Sequence, residues 1–203
     1  KAVYFLEKII LINPNYIKAY QCLSEIICDY NFIFSSDINF KILKKTIELN
    51  SDPYKDFNIL LFYLNYSYNH TSEEIFSYYQ QFDNKFGLPL RKEWKPFTPI
   101  KKPKKKLRIG YVSPDFRNHS MKGFLKPVLA NHNHEHFEIY AFAELSKEDH
   151  VTKQYQSYVD HWIPTQNLTD QQMVQKIRDM EIDILVDLAG HTNGNRLGVF
   201  ARK

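Results

Sequence analysis

The chain has 203 residues, of which 43% are hydrophobic and 15% aromatic, so it has material for the core of one large or two small globular domains. Its formal charge of +4 comes from a cluster of five lysines within residues 101–106, and the rest of the chain is close to neutral. The longest apolar run, residues 59–64, is much shorter than the roughly 20 residues of a membrane-spanning helix, and no signal peptide is visible in these residues.

Residues 1–34 predict two helices with the pattern of a repeat protein. Apolar side chains recur on nearly every turn of residues 2–12, and Asn13 followed by Pro14 predicts the N-cap and first position of a second helix. The spacing resembles the end of one tetratricopeptide repeat and the opening helix of the next, although an ordinary helical hairpin shows a similar pattern. Because repeats bury their faces against neighbours, we expect a remnant of a longer array, which would also allow a homo-oligomer.

The cysteines indicate the cellular setting. Cys22 and Cys28 are six residues apart on one predicted helix and do not face each other as a disulfide or metal-binding pair would. We therefore expect a reducing, cytoplasmic environment. The first residues already have the pattern of the middle of a helix, so we also expect that sequence precedes Lys1.

Residues 35–95 predict a helical connector. Ser36 begins one helix, residues 54–67 form an aromatic-rich second helix, and Thr71 with Glu74 forms the capping box of a third. Aromatic stripes can serve as stacking platforms for a nucleic acid or a sugar. Here no basic residues are interleaved with them, which favours a helical core.

Residues 96–106 predict a basic linker rich in proline and lysine. Its charge is carried by Lys101, Lys102, Lys104, Lys105 and Lys106. Such a run can bind nucleic acid, in which case affinity falls steeply with added salt. A solvated linker without a nucleic-acid partner is the favoured interpretation, because prolines surround the run and the rest of the chain is nearly neutral.

From residue 107 onward, strands and helices alternate. Strands are predicted at 107–112, 137–142, 162–164 and 182–188, with a helix after the first strand, a second helix beginning at Thr169 and a last helix after Asn195. This alternation predicts a parallel sheet with right-handed crossovers, so the whole chain is expected to be α + α/β. A sheet of about four strands is small for this class, and we expect that further sequence follows Lys203.

Two histidines follow predicted strands at equivalent positions. His119 comes after the first strand and His191 after the last, so parallel strands would bring both loops to the carboxyl edge of the sheet. An imidazole titrates near neutrality and can remove the proton of an acceptor hydroxyl. Either histidine alone is more often a loop residue satisfied by backbone hydrogen bonds, but the coincidence of two favours a functional site.

Other sites are less favoured by the pattern. His132, His134 and His136 alternate and would share one side of a strand, but their segment resembles a helix-to-strand turn and no cysteine completes a zinc site. We therefore expect no metal site there. A Rossmann dehydrogenase is disfavoured because the GxGxxG fingerprint is absent.

Three blocks of sequence carry a family resemblance. LRIGYVSPDFRNHS at 107–120, FEIYAFAE at 137–144 and DILVDLAGHTNGNRLGVFARK at 183–203 resemble successive blocks of the protein O-GlcNAc transferase family, glycosyltransferase family 41, bacterial type. The resemblance implies tetratricopeptide repeats and a helical connector before a GT-B catalytic region, a Rossmann-like fold of two facing lobes. Residues 107–203 would be the N-terminal half of that region.

The resemblance also implies an activity and its residues. It implies inverting transfer of N-acetylglucosamine from UDP-GlcNAc to Ser or Thr hydroxyls of proteins, without a metal or other cofactor. His119 matches the histidine that points into the active cleft, and His191 lies in the block that lines the same cleft. The implied substrate-binding residues are Asp115, Asn118, Thr192 and Gly194. Because the family holds its nucleotide mainly with the C-terminal lobe, we expect the present chain alone to be inactive.

Two alternatives stay open at this point. The helical region resembles a protein-binding array, so the chain is also consistent with a tetratricopeptide-type scaffold that carries a degenerate catalytic region. The donor sugar is not determined by these residues either, and a different sugar such as fucose stays open.

Overall fold

The computed structural model describes residues 1–29, 36–96 and 106–202. The chain divides into two compact units, residues 1–86 and 87–203. Most of the predicted basic linker, residues 97–105, lies outside the described residues. None of the helices within the described ranges combines the length and the apolar content that crossing a membrane requires.

The first unit is helical. Its elements are α1 (Ala2–Ile12), α2 (Ile17–Asp29), α3 (Ser36–Leu49), α4 (Tyr54–Leu64) and α5 (Ser72–Phe82), followed by a π-helical turn (Asp83–Gly87). The core lies between α2, α3 and α4, where Ile27, Leu43 and Leu61 are completely buried. The predicted capping box is confirmed, because Thr71 and Glu74 exchange backbone to side-chain hydrogen bonds at the start of α5.

The start of α2 differs from the prediction. Asn13 is the C-cap of α1, and α2 begins only at Ile17. The side-chain oxygen of Asn13 accepts the backbone N–H of Asn15 at 3.1 Å, which forms a local turn around Pro14 in place of the first helical turn. The prediction of Pro14 as the first helical residue was therefore wrong.

The aromatic stripe of the connector is only partly buried. Phe57 and Tyr63 are 6% and 3% exposed, as expected for helical core residues. Tyr66 is 64% exposed because α4 ends at Leu64, three residues before the predicted end of that helix.

The second unit alternates strands and helices after a 3-10 helix (Leu88–Glu93). Its elements are β1 (Leu107–Ser113), α6 (Lys122–Ala130), β2 (Phe137–Ala143), α7 (His150–Gln156), β3 (His161–Pro164), α8 (Asp170–Asp179), β4 (Ile184–Asp187) and α9 (Leu197–Phe200). The sheet order is β3-β2-β1-β4, and every pair of neighbours is parallel. The predicted parallel sheet is confirmed.

Both faces of this sheet are covered by helices, as expected for a parallel sheet. On one face, Ile109 and Ile139 pack with buried residues of α6 and α7. On the other face, Val112 and Phe142 pack with buried residues of α8 and with Val199 of α9. The alternation of side chains along β1 therefore serves two hydrophobic cores, which holds the strand rigidly.

Candidate functional site

The site lies where the winding of the sheet reverses. From β1 the chain proceeds outward to β2 and β3, and then returns to place β4 on the other side of β1. In open α/β sheets, ligands bind at the carboxyl ends of the strands beside such a reversal. Two segments leave the sheet here: the β1 loop, residues 114–121, and the β4 loop, residues 188–196.

The two loops touch each other at this edge. A Cβ atom built on Gly194 would lie 2.8 Å from Cβ of Pro114, so the backbone of the β4 loop rests directly on the β1 loop. Gly194 also has a φ of +79°, a conformation that side chains disfavour. The structure thus brings together the loops that carry His119 and His191.

We expect Gly194→Ala to destabilise the second unit by about 2 kcal/mol or more, because the methyl group meets the rigid Pro114 ring in a left-handed backbone. Urea unfolding measures the change. Gly123→Ala is the matched control: Gly123 lies on α6 with no atom near its Cβ position, so alanine there is expected to stabilise by about 0.5–1 kcal/mol. Equal effects of the two variants would contradict this packing of the loops.

The β1 loop presents His119 beside a buried carboxylate. Asp115 is 7% exposed, and one of its oxygens accepts from the Arg117 guanidinium at 3.2 Å. The other oxygen lies 3.7 Å from Nδ1 of His119, and the backbone nitrogen of Met121 lies 3.4 Å from the same ring nitrogen. In the tautomer whose proton is on Nδ1, that proton faces the Asp115 carboxylate, and Nε2 carries the lone pair that can accept a proton from a substrate.

Asn118 is engaged within the protein on both sides. Its side-chain oxygen accepts from the Lys122 ammonium at 2.7 Å, and its backbone N–H donates to Asp149 at 2.8 Å. Both contacts fix the conformation of the β1 loop immediately before His119.

The β4 loop is an internally bonded turn. Both oxygens of Asp187 accept backbone N–H groups, from Ala189 at 3.0 Å and from Gly190 at 2.9 Å. The Thr192 hydroxyl donates to the Ala189 carbonyl at 2.8 Å. His191 is therefore carried on a loop whose backbone is held by Asp187 and Thr192.

The environment of His191 favours the neutral imidazole. Burial lowers the pKa of His191 below its usual value of 6.5, and the negative charge of Asp187 opposes that shift without cancelling it. The folded protein therefore binds this proton less readily than the unfolded chain.

Because of His191, the folded protein is expected to lose stability as the pH falls. The stabilisation is complete above the unfolded pKa of about 6.5 and is lost as the pH falls toward the lower folded pKa. Urea unfolding at pH 7 and pH 5 should show a smaller loss for His191→Gln than for the wild type. An unchanged loss would contradict the assignment of this pH dependence to His191.

Arg196 was not among the residues predicted from the sequence, although its side chain joins the β4 loop to the segments that follow β2 and β3. Its side chain, 14% exposed, donates to Glu144 at 2.9 Å and to Asp170 at 3.0 Å. It also donates to the carbonyl oxygens of Thr165 and Leu168, both at 3.0 Å. Glu144 and Thr165 directly follow β2 and β3, so the strand-edge rule that selected the histidines would also have placed these partners here.

The alternating histidines diverge in the structure. Nε2 of His132 lies 2.8 Å from the Tyr111 hydroxyl, whereas Nδ1 of His134 lies 3.0 Å from the Asp160 carboxylate. Among the described residues, no three potential metal ligands converge. His132 and His134 thus have separate partners within the second unit.

The chain is similar in sequence to a known protein family and to several of its relatives. The model of the family described as glycosyl transferase family 41 matches residues 88–203. A probable UDP-N-acetylglucosamine–peptide N-acetylglucosaminyltransferase SPINDLY from Solanum lycopersicum is 28% identical over 142 residues, 68% of this chain and 15% of that protein. The probable UDP-N-acetylglucosamine–peptide N-acetylglucosaminyltransferase SEC from Arabidopsis thaliana is 35% identical over 127 residues, 58% of this chain and 12% of that protein.

A solved structure resembles nearly the whole chain. A mutant of the Thermobaculum terrenum O-GlcNAc transferase superposes with a TM-score of 0.85 at 26% identity, covering 98% of this chain and 38% of that one. The expected fold, a helical region followed by the first part of a GT-B lobe, is confirmed. The family resemblance in the three sequence blocks is confirmed as well, since the matched residues 88–203 are more than half of the chain. The chain belongs to glycosyl transferase family 41.

Proposed function

We propose that the protein that carries this chain transfers N-acetylglucosamine from UDP-GlcNAc to Ser or Thr hydroxyls of proteins, with inversion at the anomeric carbon. The observation that carries the proposal is His119 on the β1 loop, beside Asp115 and at the reversal point of the sheet. The names of the SPINDLY and SEC relatives supply the donor and the kind of acceptor.

His119 would act as the base. In an inverting transfer the acceptor oxygen bonds to the anomeric carbon on one face, while the bond from that carbon to the diphosphate oxygen breaks on the other. The hydroxyl proton passes to Nε2 of His119, and UDP leaves with the bonding electron pair. The Asp115 carboxylate, 3.7 Å from Nδ1, stabilises the imidazolium that forms.

The chain spans about one seventh of the length of the SPINDLY relative that it matches and 38% of the solved chain. We infer that the chain by itself does not turn over UDP-GlcNAc, because the β1 and β4 loops supply a base and a cleft wall but the nucleotide is expected to be held by a second lobe. We further propose a cytoplasmic protein that needs no metal ion and no nucleic acid, with homo-oligomers formed through the helical repeats.

The proposal is tested by incubating the protein that carries this chain with UDP-GlcNAc and acceptor peptides in the presence of EDTA. Mass spectrometry should show addition of N-acetylhexosamine to Ser or Thr, and NMR should show the inverted anomer. GDP-fucose serves as the competing donor, and preference for it would contradict the proposed sugar. Peptide binding without any transfer would instead support the scaffold alternative.

A further inference from the structure

The β1 loop is held by Asp149, which lies in the connection between β2 and β3. Asp149 is the N-cap of α7, and one of its carboxylate oxygens accepts the backbone N–H groups of Val151 and Thr152 at 2.8 and 3.0 Å. Its other oxygen accepts the backbone N–H of Asn118 at 2.8 Å. One carboxylate therefore begins a helix and fixes the residue that precedes His119.

The helix that Asp149 caps, α7, also packs against the β1 loop through its own side chains. Tyr155 of α7 packs edge-on against Phe116, with ring centroids 5.5 Å apart, and both side chains are completely buried. The β1 loop is thus attached to α7 twice, through Phe116 in the core and through Asn118 at the surface. The two attachments lie on either side of Arg117 and hold the backbone that leads directly to His119.

Asp149 keeps its negative charge near neutral pH. Hydrogen bonds from the backbone of Asn118 and Thr152 lower the pKa of Asp149 to about 2. The carboxylate therefore presents two acceptor oxygens throughout the neutral range, and hydrogen bonds to a charged acceptor are stronger than neutral ones.

We propose that Asp149 is a positioning residue, whose carboxylate holds the backbone at Asn118 so that His119 is aimed at the acceptor hydroxyl. The inference rests on the proposed sugar transfer. Asp149 does not touch the reacting atoms; it acts through the peptide bond that joins Asn118 to His119. Displacement of a catalytic group by about 1 Å lowers turnover by up to about a hundredfold, so loss of this contact should act on turnover.

Asp149→Ser separates the two roles of the carboxylate. A serine hydroxyl still caps α7, but it is too short to reach Asn118 as well. In the protein that carries this chain, we expect kcat to fall about ten- to a hundredfold while KM for UDP-GlcNAc stays within about twofold. In NMR exchange experiments the backbone amide of Asn118 should exchange about tenfold faster or more, with α7 amides still protected.

Asp149→Asn is a second test variant, in which the side chain keeps its shape but loses its charge. An amide has a single acceptor oxygen, so this variant must lose either the bond to Asn118 or the cap of α7. Exchange at Asn118 and within α7 shows which one is lost. We expect kcat to fall if the Asn118 amide loses protection.

Two controls isolate the contact. Glu148→Gln removes a neighbouring exposed carboxylate whose described partner is Gln156, and Thr71→Ala removes a comparable cap in the helical unit. Neither should change kcat or the exchange of Asn118.

The inference is overturned if Asp149→Ser keeps the wild-type kcat, or if the Asn118 amide exchanges at the same rate in both proteins. Failure of the proposed function looks different. In that case the wild type transfers no sugar, whereas the exchange of Asn118 still reports whether Asp149 holds the loop.

Discussion

Replacing His119 by alanine is expected to lower kcat for sugar transfer by about 10²–10⁴-fold, the usual contribution of a general base. The stability of the chain should change little, because the His119 side chain is 36% exposed and its described contacts, to Asp115 and Met121, are longer than 3.3 Å. The measurement is kcat with a peptide acceptor and saturating UDP-GlcNAc, in the protein that carries this chain. Urea unfolding of the same variant establishes that the fold is intact.

His136→Ala is the matched control, because His136 is an exposed histidine of the same unit outside the two site loops. A double-mutant cycle with Asp115→Asn then tests the pairing. If Asp115 acts by stabilising the protonated imidazole, Asp115→Asn should lower kcat in the wild type but have little effect once His119 is absent. A kcat for His119→Ala within about threefold of the wild type would remove this residue from the mechanism and leave the fold and family assignment untouched.

Local patterns predicted much of the fold because they depend on neighbours in sequence. The sequence patterns of β1 and β2 and the capping box at Thr71 each lie within a few consecutive residues, and both strands and the capping box are confirmed. The alternation expected along β2 is not seen, because its last five residues are buried on both faces of the sheet. The helix α7 was missed because it has only seven residues. Its capping box, Asp149 with Thr152, is nevertheless legible in the sequence.

Long-range contacts were beyond the same reasoning. Periodicity predicts that strands exist and does not predict their order, so the placement of β4 beside β1 came only from the structure. The contact of Gly194 with Pro114 and that of Arg196 with Glu144 each join residues more than 50 positions apart. Proximity of the His119 and His191 loops was predictable only because parallel strands share a carboxyl edge, a rule that is independent of strand order.

Arg196→Ala is expected to destabilise the second unit by about 3 kcal/mol. The guanidinium is 14% exposed and donates to two carboxylates and two carbonyl oxygens, and alanine removes all of these contacts at once. Glu144 keeps only the Thr165 hydroxyl as a donor, and Asp170 keeps only the more distant Arg202 as a cation among its described partners. Urea unfolding of the chain measures the loss. The loops after β2, β3 and β4 all depend on this one side chain, so their backbone amides should also lose protection together.

Arg196→Lys distinguishes charge from geometry. A lysine restores one positive charge but cannot donate in four directions from a planar fork, so it should recover only a minor part of the stability. Lys153→Ala removes an exposed cation of α7 and is expected to change stability by less than about 0.5 kcal/mol. Full recovery with lysine would show that charge alone is sufficient. A loss below about 1 kcal/mol for Arg196→Ala would mean that the β4 loop is held by its contact with Pro114 and by its internal hydrogen bonds instead.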